Sequence, residues 1–211
     1  MSAAAVEHPC DGQPESQLET ADSIMEQLPG YRVEIIGGVI TVAPPPDGNH
    51  ASVLTDVMIP FLAVGMHGQE SRVLQNVGLW LPSGQEDFAI PDLAVVDADF
   101  EDHLMQYNCY DPVVFRLVLE VTSSNYQQDL RNKVTAYAEA KIPVYVIVDR
   151  KHNRLHVLTD PVAGDYTNHR LHAPGEQVIL PESIGAEVKL DVSAVLRAGE
   201  TKKADGHEKT T

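Results

Sequence analysis

Cysteine is nearly missing: Cys10 and Cys109 are the only two in 211 residues. Neither a disulfide framework nor a cysteine zinc site is indicated, and a reducing cytoplasm is the expected compartment. Basic residues are scarce, with 15 Lys and Arg against 31 Asp and Glu and a formal net charge of -16. That balance speaks against holding a polyanion by overall charge, so nucleic acid would have to be met by a local basic groove or an oligomer. Long apolar runs are absent too. The most apolar longer stretch, Val57 to Met66, is far short of a bilayer span, and Met1 to Pro14 has neither the basic start nor the apolar core of an export signal. A soluble protein with no membrane partner is expected. There is no glycine-rich phosphate loop and no internal repeat. The histidines His152, His156, His169 and His172 are spread over hairpin segments rather than one helix face, which gives no zinc signature.

What is present reads as one α/β domain with a tail at each end. Residues 1–30 form an acidic leader: Glu7, Asp11, Glu15, Glu19, Asp22 and Glu26 stand there without a single Lys or Arg. A short helix over Glu15 to Leu28 is expected before Pro29-Gly30 stops it. Residues 31–196 form the domain, and 197–211 a flexible tail. Tyr31 to Ile36 and Val39 to Val42 flank Gly37-Gly38, a pair suited to the positive φ of a tight hairpin. A helix capped by Asp47 or Asn49 runs to about Met66, with Val53, Leu54, Val57, Phe61 and Leu62 inward. Strands are expected over Ser71 to Leu81, Asp87 to Val96, Val113 to Val121 and Val144 to Val148, with a polar loop from Asp97 to Pro112. Asn125 to Lys141 is a helix joining the last two strands. Shorter alternating segments after Asp149 read as an antiparallel hairpin extension. The order implies a mixed central β-sheet flanked by helices.

Three charged side chains interrupt this apolar pattern. Asp92 follows Pro91 at the head of Leu93-Ala94-Val95-Val96, Glu120 ends Leu117-Val118-Leu119, and Lys133 lies on the border of the sheet-facing stripe of its helix. A charge buried in a strand costs several kcal/mol unless paired, so Glu120 must reach a cation, a helix N-terminus or a water-filled cleft. Two carboxylates at strand ends with a main-chain carbonyl, that of Val121, make an oxygen-rich site suited to Mg²⁺ or Mn²⁺. Lys133 would then orient an attacking water or stabilise charge developing on a phosphoryl group. The plainer readings are a turn role for Asp92, an ion pair of Glu120 with Lys133 or Arg116, and an i, i+4 surface pair of Lys133 with Asp129. Glu34 is either a contact of the site or a solvent-facing charge of its strand. His50 is either a residue of the site or only a helix N-terminal residue. Tyr126 and Tyr137 read as core-edge packing with a hydroxyl partner ahead of the alternative, base-stacking platforms.

Pro91-Asp92 followed by 27 residues and Glu120 resembles the PD-(D/E)XK nuclease superfamily. Glu34-Ile35-Ile36-Gly37-Gly38, His50, Pro91 to Val96, Leu119 to Ser123, Asp129 with Lys133 and Tyr137, and Pro143 to Asp149 are together similar to the Uma-two family of restriction-endonuclease-like proteins. The resemblance spans about Tyr31 to Leu196. It implies a restriction-endonuclease-like core, divalent-metal hydrolysis of DNA, and metal ligation by Asp92 and Glu120. Thr122 stands where the superfamily motif has its lysine, so that role falls to Lys133. A homodimer is expected, since cutting both strands suits two-fold symmetry. The competing expectation is a non-catalytic nuclease fold serving as an oligomeric scaffold, which the missing lysine and the acidic charge favour.

Overall fold

The computed structural model describes residues 16–122 and 126–197. Ser16 caps α1 (Gln17–Gln27): its side chain accepts the Glu19 N–H while the Glu19 carboxylate accepts the Ser16 N–H, so two orphan donors are satisfied at once. The hairpin β1 (Arg32–Ile36) and β2 (Val39–Ala43) turns at Gly37 and Gly38, with φ of 58° and 71°. Asp47 caps α2 (Gly48–Ala63) by accepting the His50 N–H. The buried face of α2 is His50, Val53, Leu54, Val57 and Phe61. Leu62, expected inward, is 44% exposed because it falls off that i, i+3, i+4 stripe.

Two segments expected as single strands are each divided. Ser71 to Leu81 becomes β3 (Ser71–Gln75) and β4 (Gly78–Trp80), broken at Asn76 with φ of 53°. Asp87 to Val96 becomes β5 (Phe88–Ala89) and β6 (Leu93–Asp97), broken around Pro91, which has no N–H for a ladder. The breaks lie side by side, with Asn76 N–H donating to the Asp92 carbonyl, and each passes the chain between two sheets. Thus β3 pairs with β6 in one sheet, and β4 with β5 in the other. The stretch expected as a loop from Asp97 to Pro112 contains β7 (Cys109–Tyr110), which joins β4 in parallel. A 3₁₀ turn over 112–114 leaves Val113 exposed, so β8 (Phe115–Val121) starts later than expected. Then follow α3 (Tyr126–Glu139), β9 (Val144–Asp149), β10 (Arg154–Val162), β11 (Asp165–His172), β12 (Gln177–Ile179), β13 (Lys189–Asp191) and α4 (Val192–Arg197).

The larger sheet runs β11-β10-β9-β8-β6-β3, the smaller β2-β1-β5-β4-β7, and β12 pairs with β13. β8 and β9, joined through α3, are parallel, and the other described pairs of the large sheet are antiparallel. A bulge near the start of β8 opposes Val95 and Val96 to Leu117 and Phe115, which leaves Arg116 out of the ladder and bonded to Asp97 at 2.6 Å.

Strand alternation sorts the large sheet into two faces. Leu117, Leu119 and Val121 pack with Val144, Val146, Val148, α2 and α4. Val118, Tyr145, Ile147, Ala94 and Val96 pack with α3 and with Leu79, Leu81 and Ala89 near the small sheet. Each fully buried aliphatic side chain contributes about 1.5–3 kcal/mol, so a one-residue slip, which would exchange the two sets, is strongly opposed. This register puts Glu120 on the α3 face, two residues beyond Val118. Among the described residues no helix is long and apolar enough to cross a membrane.

The small sheet is fastened by Asp87, 1% exposed, whose carboxylate accepts the N–H groups of Gly37 and Gly38 at 2.8 and 3.1 Å and the Ser83 hydroxyl at 2.6 Å. Hydrogen bonds to a charged group are worth about 1.5–3 kcal/mol each, and an orphaned buried donor costs a comparable amount. Asp87→Ala is therefore expected to lose about 3 kcal/mol of unfolding free energy in urea, and a loss under about 0.5 kcal/mol would show that the turn holds itself.

Candidate active site

Five elements meet at the end of the large sheet where β6 begins and β8 finishes. Leu93 is opposite Leu119, so Asp92 is drawn next to the end of β8, where its Oδ2 accepts the Val121 N–H at 2.8 Å. Strand alternation on β1 sends Arg32 and Glu34 to one side of the hairpin. Arg32 Nη1 donates to Asp92 Oδ1 at 2.6 Å and to the Ile90 carbonyl at 3.1 Å, and Glu34 Oε1 accepts the Ile90 N–H at 2.7 Å. From the first turn of α2, His50 Nε2 lies 3.3 Å from Asp92 Oδ2. From α3, Lys133 Nζ donates to Glu120 Oε1 at 2.8 Å and Glu34 Oε1 at 3.1 Å, and the Tyr137 hydroxyl donates to Glu120 Oε1 at 2.7 Å.

All of this is interior. Asp92 is 2% exposed, Glu120 7%, Lys133 5%, and Glu34 and His50 are buried as well. Removing one partner from such a network typically costs about 3–5 kcal/mol because it strands a charge. Burial raises the Asp92 carboxyl, but the His50 hydrogen bond, the Arg32 charge and the Val121 amide outweigh it and hold the group at about 2. For Glu120 the balance runs the other way. Burial and the neighbouring Asp92 and Glu34 carboxylates overcome Lys133 and Arg32 and push it up to about 7. Burial alone would lower the Lys133 ammonium, yet Glu120 and Glu34 keep it well above the usual lysine range. Three carboxylates thus face two permanent cations, Arg32 and Lys133, and the shortfall in positive charge settles on Glu120.

The geometry brings Asp92, Glu120 and Lys133 into one site, and Glu34 and His50 reach it too. Val121 also gives its N–H to Asp92. Tyr137 is the packed tyrosine with a hydroxyl partner that the sequence suggested, its ring edge-on to Tyr145 at 4.9 Å. The side chains of Asp129 and Tyr126 lie outside the described residues. Thr122, at the usual lysine position, ties strand ends together instead: its hydroxyl donates to the Val148 carbonyl and accepts the Arg150 N–H, both at 3.2 Å. Arg116 belongs to Asp97, so Lys133 is the lysine or arginine whose side chain hydrogen-bonds Glu120 among the described residues. Arg32 was missed by the sequence reading, although its place two residues before Glu34 put it on the same strand face.

A divalent cation fits this donor set in one respect and is constrained in another. Among the described residues no three His, Cys, Asp or Glu side chains are gathered as ready ligands for one ion. Mg²⁺, however, is usually held by one or two carboxylates and keeps several waters. Glu120 Oε2 has no hydrogen-bond partner among the described residues, and it belongs to the carboxylate with the raised affinity for positive charge. Asp92 stands ionised beside it. The donors are all oxygen, as a hard cation requires.

A mixed α/β fold thus carries a buried acid–acid–lysine site at adjoining strand ends. The family model described as "Uma2: Putative restriction endonuclease" matches residues 20–193, and the chain belongs to that family. A solved structure from Anabaena variabilis, described as a putative nuclease belonging to DUF820, shares the fold with a TM-score of 0.61 at 14% identity, over 79% of this chain and 90% of that one. No curated protein matches.

The two carboxyls give opposite pH signatures. Asp92, lowered from 3.8, contributes stability present above 3.8 and lost as pH falls through about 2. Glu120, raised from 4.5 to about 7, makes the folded state bind the extra proton, so its contribution falls as pH rises between those values. Wild type should lose about 3 kcal/mol relative to Glu120→Gln across that window in urea titrations. A constant difference between the two proteins would refute the raised acid.

Proposed function

We propose that this protein is a Mg²⁺- or Mn²⁺-dependent endonuclease that hydrolyses phosphodiester bonds of DNA. The observation that carries the reading is the junction of Asp92, Glu120 and Lys133, which come from three separate elements, around a carboxylate pair short of positive charge. Membership of a family described as "Putative restriction endonuclease", and a solved structure of the same fold described as a putative nuclease, support the same class of chemistry.

Asp92 and Glu120 would hold the cation, with Asp92 the permanently ionised partner and Glu120 Oε2 the open oxygen. Bound there, the ion supplies Lewis-acid neutralisation of the phosphoryl oxygens and a more acidic water. Lys133 does the rest of the electrostatic work. An ammonium carries three donors; two are given to Glu34 and Glu120, and the third would meet a phosphoryl oxygen or the attacking water. Glu34 and Tyr137 position it and Glu120 rather than touch substrate. His50 and Arg32 keep Asp92 deprotonated and oriented. Water then attacks phosphorus in line with the leaving oxygen: the new P–O bond forms as the old one breaks, the water gives up a proton to solvent, and the leaving oxygen takes one from solvent, giving a phosphate monoester and a hydroxyl. Cutting both strands of a duplex calls for two such sites, hence a homodimer.

The second reading, a nuclease fold retained as a scaffold, is favoured by the engagement of both Asp92 oxygens, Oδ1 by Arg32 at 2.6 Å and Oδ2 by the Val121 N–H at 2.8 Å and His50 at 3.3 Å. A nicking assay on supercoiled plasmid with Mg²⁺, Mn²⁺ or EDTA separates the two. Metal-dependent nicking is expected, with Lys133→Ala, Asp92→Asn and Glu120→Gln each reduced about 10²–10³-fold. Mn²⁺ is expected to raise the melting temperature of the wild type and not of Asp92→Asn. Nicking that survives in all three variants would mark a contaminant, and no nicking together with no thermal shift would leave the scaffold.

A further inference from the structure

We propose that the β9–β10 turn, Arg150 to Arg154, is the surface by which this site grips the phosphate backbone of its nucleic acid substrate. The inference rests on the nuclease reading above and assigns it a binding element. It begins from scarcity. Between residues 31 and 196 there are 11 Lys and Arg. Against that background Arg150, Lys151 and Arg154 fall within five consecutive positions, with His152 among them.

The topology places this cluster beside the acids. β9 runs parallel to β8 with Val148 opposite Val121, so both strands finish at the same edge. Arg150 N–H donates to Thr122 Oγ1 at 3.2 Å, two residues beyond Glu120. On its other side the Arg150 charge reaches Asp47, the cap of α2. The turn therefore stands at the strand end between Glu120 and the start of the helix that delivers His50.

It is also held in shape. Asp149, 1% exposed, accepts the His152 N–H at Oδ1, 3.0 Å, while its Oδ2 lies 2.8 Å from His152 Nδ1 and 3.6 Å from His156 Nε2. Asn153 takes the left-handed conformation at φ 55°. A buried carboxylate thus fastens the turn from beneath, while Lys151, His152, Asn153 and Arg154 are exposed and Arg150 is half-buried. A prearranged cationic turn loses little entropy on meeting a phosphate chain. In a body this acidic it offers the local attraction that a polyanion needs in order to approach Asp92 and Glu120.

The test is fluorescence anisotropy of the full chain with a labelled DNA duplex of about 20 base pairs, and with one strand of it alone, in Ca²⁺ from about 50 to 200 mM KCl. The triple variant Arg150→Ala, Lys151→Ala, Arg154→Ala is expected to bind about 10-fold or more weakly and to lose about 3 from the slope of log K against log salt on the duplex. Lysine at 150 and 154 should keep the wild-type slope. The pair Arg170→Ala with Lys189→Ala, exposed cations on β11 and β13, should change neither quantity. If the triple variant melts early, Lys151→Glu with Arg154→Glu, both exposed, provides the same reading. Wild-type affinity and slope in the neutralised turn, with plasmid nicking intact, would overturn this assignment and leave the nuclease standing. A wild type that neither binds nor nicks would overturn both.

Discussion

An ammonium that has left water is the condition on which the site depends. Lys133 can be buried only because Glu34 and Glu120 receive it, and those acids can be buried only because it is there. The arrangement joins parts of the molecule that share little else: β1 of the small sheet, β8 of the large sheet and the helix between β8 and β9. Arg32 extends the chain of charges to Asp92, and Asp92 fastens the end of β8 through the Val121 N–H. The two sheets are thus joined at the candidate site by ions rather than by apolar packing alone. Such a junction specifies one geometry more than it adds stability, since a hydrophobic replacement of similar volume is often no less stable.

Electrostatic asymmetry follows from the same arrangement. Asp92 is met directly by a histidine, an arginine and an amide, while Glu120 shares its lysine with Glu34. The surroundings thus lower the proton affinity of one acid and raise that of its neighbour. Pairs of titratable groups driven apart by their surroundings are a recurrent mark of functional sites. Here the separation has a visible structural cause, the unequal distribution of cations between two adjacent strand ends.

Much of this could be read before any coordinates. The alternation of β8 and β9 and the interruptions by Asp92 and Glu120 are local patterns, and Lys133 on its stripe border follows from helical period alone. The Gly37-Gly38 turn was legible for the same reason. Exchange between sheets was not: Asn76 and Pro91 end one pairing and begin another, and nothing in the residues around either says which partner comes next. Sequence periodicity reports which way a side chain faces and is silent about which distant strand will face it. Arg32 was hidden by that silence, because its partner is 60 positions away. The reach of Glu34 and His50 into the site depended on long-range pairing as well, which is why local reasoning left each between two readings.

The bulge at Arg116 has a consequence for how this chain can change. The extra residue is absorbed before β8 reaches Leu117, so the parity of the strand is reset upstream of Glu120. Growth or shortening of the segment between Asp97 and Val114 can be taken up there as a larger or smaller excursion, while the acid keeps its side. The acid-bearing edge and the long connection before it are therefore free to evolve at different speeds.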